Sequence, residues 1–168
     1  MKFMKTFSLV LIFVFFKSTI NAQVSASRYN MGKIFNDYIA IKNALADNDG
    51  TTAEVKANEL AALLASQPDK GLNYKQWKFL ASYLEHLIDD SRSIGITTYL
   101  DKQRPFFAKL SATMYTVLKG LKIHTSPIYQ QYCQLDKLYW LSETTTIKNP
   151  YHYTNDMISC GKVVDTLK

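Results

Sequence analysis

Apolar residues recur at three- and four-residue steps through the first two-thirds of this chain, which commits that part to packed amphipathic helices. The first stripe is Met31, Ile34, Tyr38, Ile41 and Leu45, closed by the turn formers Asp47-Asn48-Asp49-Gly50. A second helix is expected from Thr51, whose spacing to Glu54 fits a capping box. It carries Ala53, Ala57, Leu60 and Leu64, and Pro68 with Gly71 ends it. A third starts near Asn73, burying Trp77, Leu80, Leu84, Leu87 and Ile88, with a break expected over 91–95. The fourth is predicted from about residue 98 to 119, with Leu100, Phe107, Leu110, Met114, Leu118 and Leu121 on one side. Pro105 either lies in its first turn or kinks it, and Gly120 is the expected stop.

From residue 123 onward the pattern changes. Ile123, Ile128, Tyr129, Tyr132, Tyr139, Trp140, Ile147, Tyr151, Tyr153, Val163 and Val164 make this segment aromatic and β-branched, punctuated by Asn149-Pro150 and Gly161. The expected fold is mainly α: a four-helix bundle with an irregular or small-hairpin C-terminal cap over 123–168. At 168 residues the chain suits one domain, and its 47% hydrophobic content excludes disorder. Two cysteines are too few for a disulfide-dense scaffold.

The N-terminus reads as an export leader. Lys2 and Lys5 precede an apolar run from Phe7 to Phe16 broken only by Ser8, and a polar stretch leads to Asn21-Ala22. Residues 1–22 are therefore expected to be a signal peptide, leaving 23–168 as an exported domain, periplasmic or secreted. Ten residues rise only about 15 Å as a helix, so no permanent membrane span is expected. Three of the 20 Lys and Arg residues (Lys2, Lys5 and Lys17) leave with the leader, so 17 remain against 14 Asp and Glu. That small excess, without a basic cluster, gives no case for nucleic-acid binding.

Cys133 and Cys160 both fall in the aromatic segment, and in an oxidising compartment their default is a disulfide. A soft-metal site is the functional alternative: Met157 and Cys160 form Met-x-x-Cys, Cys133 would complete a sulfur trio suited to Cu(I), and His152 would be a further ligand. Free or transient thiols are the third reading. Asp47-Asn48-Asp49-Gly50 fails the EF-hand register in either frame and reads as a turn. His86 and Asp90 share a helical flank that suits two metal ligands, but a solvated face is the expectation; His124 reads as a surface loop residue. Tyr129, Tyr132, Tyr139, Trp140, Tyr151 and Tyr153 would line a groove or fill a core, and core is expected. No nucleophile elbow, phosphate loop or zinc motif occurs, so no enzyme activity is predicted.

Further residues carry a likeness. They are Tyr38, Lys42, Ala44-Leu45 and Asp47, then Gln103-Arg104, Phe107 and Leu110-Ser111. Tyr132-Cys133, Trp140-Leu141-Ser142, Ile147-Lys148-Asn149-Pro150-Tyr151 and Met157-Ile158-Ser159-Cys160-Gly161 follow in order. Through them the chain resembles the bacterial domain-of-unknown-function family 3347, along nearly all of the mature segment. Members occur as small exported proteins or as domains on periplasmic adaptor subunits of heavy-metal efflux systems. The resemblance implies a non-catalytic accessory linked to heavy-metal handling, with efflux components as partners. The family's Cys-Pro-Met is replaced here by Cys133-Gln134-Leu135, and Tyr153 stands where a glycine commonly follows Asn-Pro-Tyr. Losing that thioether weakens a Cu(I) site more than it weakens a disulfide-braced interaction module, the alternative reading.

Overall fold

The computed structural model describes residues 31–66, 71–152 and 154–168. The expected leader, Pro68 and Tyr153 lie outside them. Four helices precede a small sheet: α1 (31–46), α2 (Gly50–Ser66), α3 (Tyr74–Ile94) and α4 (Leu100–Leu121). The strands are β1 (Ile128–Cys133), β2 (Leu138–Ser142) and β3 (Lys162–Leu167), ordered β2-β1-β3 and antiparallel throughout. The predicted bundle with a small cap is what the chain forms.

The stripes of α1 and α2 are buried at every predicted position. Leu80 and Leu87 of α3 are buried, while Trp77, Leu84 and Ile88 are only half-buried. The expected break at 91–95 is instead the end of α3: Ser91 sits inside the helix, its hydroxyl donating back to the Leu87 carbonyl. Helix starts follow side-chain chemistry. Asn73 and Gln76 form a reciprocal capping box on α3. Asp49, rather than Thr51, caps α2, accepting from the Thr52 N–H at 2.9 Å and its hydroxyl at 2.6 Å.

Pro105 lies inside α4 beyond its first turn, which excludes the first-turn alternative. The expected stop at Gly120 is corrected. The helix continues to Leu121 and ends on Lys122, whose φ of 52° is left-handed. Gly120 serves a different need, because a methyl there would overlap the Phe79 ring of α3. α3 packs against both α2 and α4. α1 meets α4 through Tyr38 and Phe107, whose stacked rings lie 5.1 Å apart.

β1 and β2 form the anticipated hairpin around a four-residue loop (134–137) that closes on Lys137 at φ 57°. β3, which no periodicity announced, pairs with the other side of β1 and carries a register shift at Gln130/Gln131. No helix among the described residues is long and apolar enough to cross a membrane.

Candidate functional site

The end of β1 and the approach to β3 meet at a disulfide. Cys133 is fully buried, Cys160 is half-buried, their Cα atoms are 5.4 Å apart, and neither is free. On the chain-entropy estimate, closing this loop stabilises the fold by about 3–4 kcal/mol. Gly161 follows with a φ of 153°, and a Cβ there would stand 2.8 Å from Trp140. Glycine thus lets the backbone just after the cystine lie close against the buried indole. Trp140 donates its ring N–H to Gln131 Oε1 at 2.7 Å, and Gln131 Nε2 donates to the carbonyls of Thr144 and Thr146.

The other predicted ligands are placed differently. Met157 ends a single 3-10 turn, and its carbonyl accepts from the Cys160 N–H at 3.0 Å. His152 is buried, with Nε2 facing the Ala46 carbonyl at 2.7 Å and Nδ1 facing that of Thr154 at 3.0 Å. The two cysteine sulfurs come together with Met157 in the adjoining turn. The imidazole does not join them, because both of its nitrogens face backbone oxygens. With the thiols joined and the ring so engaged, this donor set does not fit a soft metal ion. Among the described residues no group of three or more His, Cys, Asp or Glu converges on one point.

The remaining family residues stitch the cap to the bundle. Arg104 of α4 donates Nε–H to the Pro150 carbonyl at 2.9 Å and Nη2–H to Asn48 Oδ1 at 2.7 Å. It also reaches the Leu45 carbonyl at 3.3 Å, so Arg104 and His152 both face the last carbonyls of α1. Gln103 binds the carbonyls of Gly50 and Thr97, tying the start of α2 to the α3–α4 connection. Asn149 accepts from the Tyr151 N–H and donates to Asp136 Oδ2.

Three buried hydroxyls complete the seam. Tyr38 Oη accepts from the Leu141 N–H at 2.9 Å and lies 2.7 Å from Ser111 Oγ. Ser111 lies 3.4 Å from Tyr151 Oη, which donates to the Tyr139 carbonyl at 2.8 Å. The single Tyr151 hydroxyl proton is shared between the Tyr139 carbonyl and, more weakly, Ser111 Oγ. Burial pushes both phenols well above their ordinary pKa.

This network also closes a sheet edge. Leu141 lies opposite Gln130, yet its N–H turns away from β1 to Tyr38. The Tyr139 carbonyl, two residues earlier, is taken by Tyr151. No added strand can use those groups. On β3 the irregular register, Lys162, and an Asp165 carboxylate capping the Thr166 N–H at 2.8 Å blunt the opposite edge.

Asp47 pairs with Lys148 at 2.7 Å, and Asp49 is a helix cap whose bonds from Thr52 hold its pKa low. His86 is exposed on α3, and burial raises the Asp90 pKa. His124 is half-buried, with Nδ1 facing the Ser126 carbonyl, and borders a cavity of about 240 Å³ beside Phe35, Leu118 and Glu143. That is less room than ligand pockets of about 300–1,000 Å³ provide. A larger cleft of about 480 Å³ lies at the seam, but its polar residues Arg104 and Asp136 are already hydrogen-bonded within the protein.

Reading the residues one at a time misses the seam. Tyr38 passes as one more apolar-stripe residue, and Gln131 gives no signal. Gln103, Arg104 and Ser111 do leave a trace, since they occupy helical steps on the same face as Phe107 and Met114.

Fold and seam define a class: a helical bundle whose disulfide-braced sheet is fastened to it by buried hydroxyls and an arginine. The family model described as "Protein of unknown function (DUF3347)" matches residues 34–126, more than half of the chain, and the chain belongs to that family. The match takes in the four helices and stops before β1, so it does not extend over the cap motifs of the likeness. No curated protein and no solved structure matches.

Proposed function

We propose that this chain is an exported, non-catalytic accessory domain that works by binding another protein, with Cys133 and Cys160 as a brace for the cap. The carrying observation is the Cys133–Cys160 bond itself, made where the leader would deliver the chain to an oxidising compartment. The engagement of His152 with two carbonyls supports the same reading. The heavy-metal link implied by the family resemblance then belongs to the partner, an efflux component, rather than to an ion held here.

Soft-metal carriage is the second reading, and one observation favours it. Reduction would leave two adjacent thiols with Met157 in the neighbouring turn. Cu(I) titration against a chromogenic competitor separates the two. The brace reading expects no competition from the oxidised chain and a lower Tm on reduction. Stoichiometric Cu(I) capture that leaves the fold intact contradicts it.

A further inference from the structure

Among the described residues, four of the eight large apolar side chains left exposed belong to the cap: Leu135, Tyr139, Val163 and Val164. Leu135 is 73% exposed at the tip of the β1–β2 hairpin. Tyr132 stands opposite Tyr139 on one side and Lys162 on the other, so these three form one row across one face. The two tyrosine rings lie 4.4 Å apart. Lys137, also exposed, lies at the same tip.

Charge on this row is one-sided. Neither Lys137 nor Lys162 has an ion-pair partner among the described residues. Asp165 is paired with Lys119 and Glu143 with Lys42, while Asp136 keeps its charge but is turned to the Asn149 amide of the seam. Asp156 belongs to the separate turn before β3. An aromatic pair beside Lys162, with Leu135 and Lys137 exposed at the adjoining tip, fits a ligand with apolar anchors and carboxylates around them.

Strand addition is closed on β2 and hindered on β3, which favours docking through side chains. An anionic membrane surface fits less well, because recruitment by charge uses clusters of about four to eight cations and this tip offers two. We propose that Tyr139, Tyr132 and Lys162, with Leu135 and Lys137, form the docking surface for an acidic, aromatic-bearing segment of a protein partner. This rests on the reading of the domain as an interaction module and names the chemistry of what it binds.

The test uses the oxidised full-length mature chain and a short fluorescein-labelled peptide of glutamates interrupted by two phenylalanines. The peptide with glutamine in place of glutamate, and phosphatidylcholine vesicles containing phosphatidylglycerol, serve as the other probes. Saturable binding by anisotropy is expected for the acidic peptide, weakened by salt. The pair Lys137→Glu with Lys162→Glu, and the pair Leu135→Ser with Tyr139→Ser, should each weaken it by about tenfold or more. Ile96→Ser with Tyr99→Ser, changing exposed residues of the α3–α4 connection, should leave it unchanged. Equal binding of the glutamine peptide, binding only to vesicles, no binding, or loss only in the Ile96/Tyr99 pair overturns the proposal. A joined-cystine chain that ignores the peptide removes this surface and leaves the brace standing. Free thiols or captured copper remove the brace whatever the peptide does.

Discussion

Tyr38 in the first helix takes the backbone N–H of Leu141 at 2.9 Å, across 103 positions of sequence. The same phenol meets Ser111, so one side chain joins α1, α4 and the outer edge of β2. Tyr38→Phe leaves a buried N–H without its acceptor and should destabilise the fold by about 1–3 kcal/mol in urea titrations. Tyr151→Phe should act similarly through the Tyr139 carbonyl. Because both phenols meet Ser111, the double variant should fall short of additivity. Two neutral single variants would contradict the seam.

Alkali should loosen the same seam. Burial raises the folded pKa of Tyr38 and of Tyr151, while an unfolded chain ionises its tyrosines near pH 10. Their contribution is therefore intact below about pH 10 and is lost as pH rises above it. Lys42, lowered by burial, works in the opposite sense up to its unfolded value, 10.5. Single Tyr→Phe variants isolate the phenols: each should flatten the fall in stability above pH 10. A stability curve equally steep in the wild type and both variants would rule this out.

Lys42 is a buried cation with a weak counterpart. Its side chain is 4% exposed and Glu143, 46% exposed, stands 3.4 Å away. Burial depresses its pKa more than Glu143 raises it. Lys42→Met frees a carboxylate that water can take up, so stability at neutral pH should hold or rise by about 1 kcal/mol. Glu143→Gln leaves the ammonium without its counter-charge and should destabilise. The reverse order of the two melting temperatures would show that the pair is net favourable.

Gly120 is a contact residue between helices. Gly120→Ala drives a methyl into the Phe79 ring, and overpacking of this kind should destabilise by about 1–3 kcal/mol. Phe79→Leu in the same chain should recover part of that loss. A Gly120→Ala protein that melts above the wild type would mean that α3 and α4 have room to part.

The helices were legible because an amphipathic helix repeats its burial along the chain: Ile34, Tyr38, Ile41 and Leu45 reveal themselves by spacing alone. Helix ends were less so. Asp49 and Thr51 are both good caps, and only the path of the backbone decides that Asp49 accepts from Thr52. Lys122 takes the left-handed turn, while Gly120 two residues earlier stays inside α4, where Phe79 lies close. β3 was hidden because Val163 and Val164 stay exposed and its partner β1 is distant in sequence. For the candidate site, the cysteine pair was readable from number and from the compartment the expected leader implies. His152 was not, since its engagement depends on a loop returning to the last carbonyl of α1.

The brace is tested most directly by mass spectrometry of exported protein, alkylated before lysis and digested without reductant. The account predicts one linked peptide pair joining Cys133 to Cys160, with no alkyl label on either residue. Recovery of both cysteines as separately alkylated peptides would contradict it.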